Sequence, residues 1–250
     1  MPDLVAQTLA LPGLGWLVFA AFLAGVVRGF SGFGTAMIFL PFAAQVLPPA
    51  WAIIALIGMD MVGPLPVLPR AVRDANRRDL VLLVGFGALS VPLGVWLLAV
   101  ISPDLYRYVI CTIALILVTC LLAGLRYRGR PTARLVGATG AVAGVSGGLS
   151  GIPGPPVILL YMASSLPVAQ VRANTMIFLF CFDFILLGVL WLSGQGAWAP
   201  FVAGLVLAVP NALGNLAGQA IFDPARAKVY RGVAYAIVAA SALMGLPIWD

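Results

Sequence analysis

The stretch Arg28-Gly29-Phe30-Ser31-Gly32-Phe33-Gly34-Thr35 decides the fold of this chain. It joins two apolar runs, about residues 11–27 and 36–47, yet holds three glycines, a serine, a threonine and an arginine. Backbone this rich in glycine is tolerated at membrane depth only where protein buries it or it borders a wet cavity. A second copy of the pattern stands at Gly147-Gly148-Leu149-Ser150-Gly151-Ile152-Pro153-Gly154. The two stretches are expected to meet and form an anion site.

The surrounding composition says what kind of molecule holds them. Of 250 residues, 62% are hydrophobic and 9% charged, where a soluble domain has roughly a quarter charged. The chain is therefore an integral membrane protein. It has no histidine, no glutamate and one lysine, Lys228. That excludes zinc chemistry built on clustered His and Cys and a Ser-His-Asp hydrolase. No metal and no cofactor is expected. The net charge of +6 comes from arginines in short loops beside apolar runs, which marks cytoplasmic loops and not nucleic-acid binding. Cys111, Cys120 and Cys181 lie inside apolar segments and read as small hydrophobes. Met1-Pro2-Asp3 carries an acid where a cleavable signal would carry a base.

Ten apolar segments follow one another, at about 11–27, 36–47, 51–68, 80–100, 105–125, 135–145, 155–163, 171–192, 198–221 and 232–247. The third is interrupted by Asp60 and by Gly63-Pro64-Leu65-Pro66. Arginines crowd the loops after the third, fifth and ninth segments, among them Arg70, Arg126, Arg128, Arg130, Arg134 and Arg226. The positive-inside rule places these loops in the cytoplasm and both termini outside, periplasmic in a bacterial inner membrane. The seventh segment is too short for a bilayer crossing, which takes about 20 residues, and the second is marginal. Both are expected to leave their glycine stretches within the membrane.

The chain also repeats itself. Ala24-Gly25-Val26 lines up with Ala143-Gly144-Val145 at an offset of 119, and the same offset pairs Ser31-Gly32 with Ser150-Gly151 and Pro48 with Pro167. Pro103 and Pro224 each open a final span. The halves are 1–125 and 126–250, each with five segments. An odd number makes the second half start on the opposite side of the membrane. The expected fold is thus an all-α polytopic membrane protein, an inverted repeat of two five-segment halves with interrupted or re-entrant helices. Interrupted segments at matching positions point to a transport site. Close helix packing through small residues is the competing explanation of the glycines.

Each glycine stretch runs into the start of a short helix, where free N–H groups and the helix dipole attract anions. Gly32, Gly34, Gly151 and Gly154 let the backbone approach a ligand, and Ser31, Thr35 and Ser150 add hydroxyls. Arg28 offers a fork of donors to an oxyanion, or else snorkels to the headgroups. Asp60 and Asp183 are acids within spans. Such acids are expensive and mostly functional, so they are assigned to coupling or gating, with a proton as the candidate ion. Asn174, Thr175 and Asn211 are further candidate substrate ligands. Asn211, Asn215 and Gln219 recur every four residues and share a helix face. That face either lines a path or joins helices.

Gly29-Phe30-Ser31-Gly32-Phe33-Gly34 with Pro41, the second glycine stretch, and Ala173-Asn174-Thr175 together resemble the TauE/SafE family of membrane permeases. The resemblance covers nearly the whole chain. Arg28, Pro153, Pro155 and Pro156 depart from the commoner family pattern. The resemblance implies export of sulfite, sulfonates or sulfoacetate-like anions across the bacterial inner membrane. The residues themselves argue for a small anionic substrate, lipid as the surrounding partner and secondary transport by alternating access. A passive anion channel and an aspartate-based intramembrane enzyme are the alternatives. A monomer and a homodimer both fit.

Overall fold

Polar residues and prolines set where the helices begin. Asn76 Oδ1 accepts from the N–H groups of Arg78 and Asp79 at 3.0 and 3.3 Å, and Thr132 Oγ1 accepts from Leu135 N–H at 3.3 Å. Each satisfies donors that a helix start otherwise leaves without partners. Pro49 and Pro103 stand in first turns, where a missing N–H costs nothing. The computed structural model describes residues 13–65, 68–123, 129, 131–161, 166–223 and 226–248. Met1-Pro2-Asp3, Pro66, Arg126, Arg128, Arg130, Ala163 and Pro224 lie outside the described residues.

Among the described residues there are eleven α-helices: α1 (Leu14–Ser31), α2 (Thr35–Ala43), α3 (Pro49–Asp60), α4 (Leu68–Asp74), α5 (Arg77–Val100), α6 (Pro103–Leu122), α7 (Ala133–Ser150), α8 (Gly154–Tyr161), α9 (Val168–Leu192), α10 (Trp198–Ile221) and α11 (Ala227–Gly245). By length and composition α1, α5, α6, α9 and α10 can each cross a membrane. The chain is an all-α polytopic membrane protein. Helices α2 and α8, of 9 and 8 residues, reach only about 12–14 Å at 1.5 Å per residue. Neither is long enough to cross a hydrocarbon layer of about 30 Å by itself.

The glycine stretches are more helical than their composition suggests. Helix α1 continues through Arg28, Gly29 and Phe30 to Ser31, and α7 runs past Val145 to Ser150. The non-helical part is only Gly32–Gly34 in one copy and Gly151–Pro153 in the other. In lipid a backbone group released from a helix has no water to bond, so the helix persists across glycine.

The chain forms two compact units. The first comprises residues up to Gly63, Ser102–Val118 and those from Ala197 onward. It holds α1, α2, α3, α10, α11 and most of α6. The second comprises Pro64–Ile101 and Thr119–Gly196, with α4, α5, α7, α8 and α9. In the first unit α1 packs chiefly along α10, and in the second α7 packs along α5. Within each unit, therefore, the opening helix of one sequence half lies against the fourth spanning segment of the other.

Both pairs are parallel and meet backbone to backbone. Gly25 abuts Asn211, and Gly29 abuts Asn215 and Gly218. Gly140, Gly144 and Gly148 abut Leu83, Gly87 and Gly94 in turn. A Cβ on Gly148 would lie 2.6 Å from the Val91 carbonyl oxygen. Small residues at four-residue spacing are the usual means of bringing helices together in lipid, where no hydrophobic force acts between them. For these glycines, packing is the explanation that holds. Elsewhere Phe39, Phe178, Phe182, Tyr106 and Tyr161 fill the interior.

Candidate functional site

The first break is a short device built from local bonds. Gly32, at φ 82° and ψ 4°, ends α1 with its N–H donating to the Arg28 carbonyl at 2.8 Å. That left-handed conformation is open to glycine and costly for other residues. Ser31 Oγ donates to the Val27 carbonyl at 2.6 Å and accepts from Phe33 N–H at 3.3 Å. Gly34, also left-handed, then starts α2 with no side-chain cap. The N–H groups of the first turn of α2 face the break without a capping side chain, and such a turn favours anions. Thr35 is buried at this turn.

Two charged residues meet beside it. Arg28 Nη1 contacts Asp60 Oδ1 at 2.6 Å, and the same nitrogen lies 3.4 Å from Thr35 Oγ1. Gly63 borders the other guanidinium nitrogen. Arg28 thus does not simply reach for headgroups. It ties the end of α1 to the end of α3, which stops at Asp60. The Arg28 and Asp60 side chains stay 29% and 23% exposed, so the pair is neither sealed nor free. Sequence reasoning singled out both residues but not their pairing, because they are 32 positions apart.

The second break repeats the backbone of the first. Gly151, at φ 73° and ψ 10°, ends α7 with its N–H donating to Gly147 at 2.7 Å. Ser150 Oγ donates to the Ser146 carbonyl at 2.6 Å and accepts from Ile152 N–H at 3.1 Å. Gly151, Ile152, Pro153 and Gly154 are all buried. At the position matching Arg28, Gly147 packs against Phe182 and Pro153. In both copies the serine hydroxyl lies 2.6 Å from a carbonyl one turn back in its own helix. The two breaks lie in different units, and the structure describes each on its own.

The remaining candidates divide. Asn174 is fully buried in the second unit. Its Oδ1 accepts from Asn76 N–H at 2.8 Å and its Nδ2 donates to Tyr161 Oη at 3.2 Å. Tyr161 also bonds Asp79. Asn174 therefore clasps the start of α5 and the end of α8. An open cavity of about 590 Å³ beside this network is lined by Asn76, Arg78, Asp79, Thr132 and Gln170, and by no residue of the second break. Thr175 and Asp183 are half-buried on α9. Asn211 Nδ2 donates to the Ala21 carbonyl at 3.0 Å, which joins α10 to α1. Gln219 donates to Asn215 at 3.0 Å on the same helix.

One buried cation escaped the sequence analysis. Arg107 on α6 donates through Nε to the Gly245 carbonyl at 3.0 Å and approaches the Leu246 carbonyl at 3.5 Å. It caps the C-terminal end of α11, where carbonyls lack partners and the dipole favours positive charge. The available signal was an arginine four residues inside an apolar span.

Two short helices that follow longer ones at matching positions, an ion pair at one break and five membrane-length helices make a polytopic membrane protein with the interrupted helices recurrent among secondary transporters. The family model described as Sulfite exporter TauE/SafE matches residues 17–245, and the chain belongs to that family. No curated protein and no solved structure matches the chain.

Proposed function

We propose that the protein is a secondary transporter that exports a small organosulfur or inorganic oxyanion, such as sulfite or a sulfonate, across the bacterial inner membrane. The observation that carries this is the Arg28 guanidinium beside the uncapped first turn of α2. A cation and a row of free N–H groups at one spot favour an oxyanion and nothing positively charged. The family match supports the same substrate class. Arg28, Thr35 and the backbone at Gly32 and Gly34 are the proposed anion ligands in the first unit. Ser150, Gly151 and Gly154 form the matching turn in the second.

Ser31 and Ser150 act by holding the breaks in shape. Asp60 and Asp183 serve coupling or gating. The arginine-rich loops face the cytoplasm and the termini the periplasm. Parallel packing of α5 with α7 supports this, since both helices begin just after arginine-rich stretches. Transport is ion-coupled, by alternating access, with no catalytic step.

The test uses purified protein in liposomes loaded with sulfite. Efflux, and exchange of labelled sulfite against an unlabelled counter-gradient, are expected from the native chain and absent with Arg28→Gln. Efflux without exchange marks a passive channel. No flux of sulfite or of methanesulfonate removes the reading.

A further inference from the structure

We propose that Asp60 is a tethered competitor for the transported anion: its carboxylate holds the Arg28 donor that the anion needs, so anion and proton enter the site together. This rests on Arg28 being the anion's counter-charge, as proposed above. The argument is geometric. The nitrogen of Arg28 that faces the break is Nη1, since it is the one near Thr35 Oγ1. That same nitrogen is occupied by Asp60 Oδ1 at 2.6 Å. A planar guanidinium presents its donors in a fixed fork, and Nη1 has only two hydrogens. An oxyanion arriving at the start of α2 meets a carboxylate already in its place.

Charge decides how the conflict resolves. The resting pair is neutral. Adding an anion beside an ionised Asp60 sets two negative charges against one guanidinium in a partly buried site, and like charges held that close repel. Transferring a proton to Asp60 restores neutrality and frees Nη1. Among the described residues no neighbouring group is placed to take over. Helices α2 and α10, which pack on α3 and α1, carry no ionisable side chain along their length. From α11 come Tyr230 and Tyr235, whose rings lie tilted against Phe30 and Phe33, and the exposed Arg231. Among the described residues none of these side chains bonds to the pair.

The arrangement also has a use in the empty carrier. A bare arginine at membrane depth would be costly. With Asp60 in place the anion-free site is neutral, and the protein can pass through its transport cycle without carrying an exposed charge.

The test measures binding of methanesulfonate, whose charge does not change between pH 5.5 and 8, to the native chain and to variants by tryptophan fluorescence in detergent. For the native chain, affinity should fall at least tenfold from pH 5.5 to pH 8, and binding at pH 8 should take up protons from a weakly buffered solution. Asp60→Asn should bind at pH 8 at least tenfold more tightly than the native chain, with no dependence on pH and no proton uptake. Native binding that is independent of pH and takes up no proton overturns the proposal whether or not the variant folds. Weaker binding by Asp60→Asn than by the native chain overturns it too. Arg28→Gln separates the two layers. If it binds as well as the native chain, Arg28 is not the counter-charge and the site assignment itself fails. If it does not bind while Asp60→Asn behaves as the native chain, only the competitor role fails. If no form binds methanesulfonate or sulfite, both fall.

Discussion

The two breaks share a backbone and differ in everything that carries charge. Gly32 and Gly151 have nearly the same dihedrals, and Ser31 and Ser150 bond back one turn and forward two residues in the same way. Yet the first break is partly open and is flanked by Arg28 and Asp60, while the second is buried, proline-lined and uncharged. The same backbone device therefore stands at both breaks, with ionic chemistry at only one of them. The shared part is structural: a helix can be stopped inside a membrane only if its last carbonyls and the next N–H groups find local partners. The unshared part is where substrate chemistry is expected.

The largest effects should come from what the two units have in common. Gly218→Leu in the first unit and Gly148→Leu in the second each drive a side chain into facing backbone. Overpacking of this kind costs about 3 kcal/mol or more when backbone has to move. Both variants should lose the folded state in detergent, seen as a collapsed elution profile and no thermal transition. A mild effect in one unit only would show that the two helix pairs are not held by the same means.

Moving the charge is a sharper probe. Arg28→Gly should leave a folded protein whose anion affinity drops about 10- to 100-fold, the usual worth of a charge-assisted bond. Gly147→Arg should fail to fold, since even a Cβ there would meet Pro153 at 2.7 Å. If the second break accepts arginine and the double exchange restores binding, the asymmetry is only historical.

The smallest effect separates the serines. Ser150→Ala strands a buried N–H of Ile152 and should cost about 1–3 kcal/mol. Ser31→Ala affects a half-exposed turn that water can reach, and should cost about 1 kcal/mol or less. Thermal melting of the two variants side by side gives the difference. Equal losses would show that the first break is as dry as the second.

Much of the fold was legible because it is local. Pro103, Pro49 and the Asp60–Pro64 interruption mark helix ends by their own stereochemistry, and the 119-residue offset marks the matching breaks. The ends of α1 and α7 were not legible. Glycine in a window of sequence signals a weak helix, but its cost vanishes once a facing helix needs the space. The Arg28–Asp60 pair was hidden for a related reason. It exists because α1 and α3 both lie against α10, a helix that begins 138 residues after Asp60. Asn174 and Asn211 were singled out as polar groups in apolar helices. Their partners, a Tyr161 hydroxyl and an Ala21 carbonyl, depend on helix neighbours that no spacing reveals.

The parallel pairing of α1 with α10 sets an order on the making of the protein. Gly25 leaves the ribosome 186 residues before Asn211, the residue it packs against. At about 5–20 residues per second, the glycine face of α1 waits roughly 10–40 s for its partner. During that interval lipid, or an insertion factor, has to cover a surface shaped for another helix. The first unit is therefore finished only when nearly the whole chain has been synthesised, and neither sequence half can complete a unit alone.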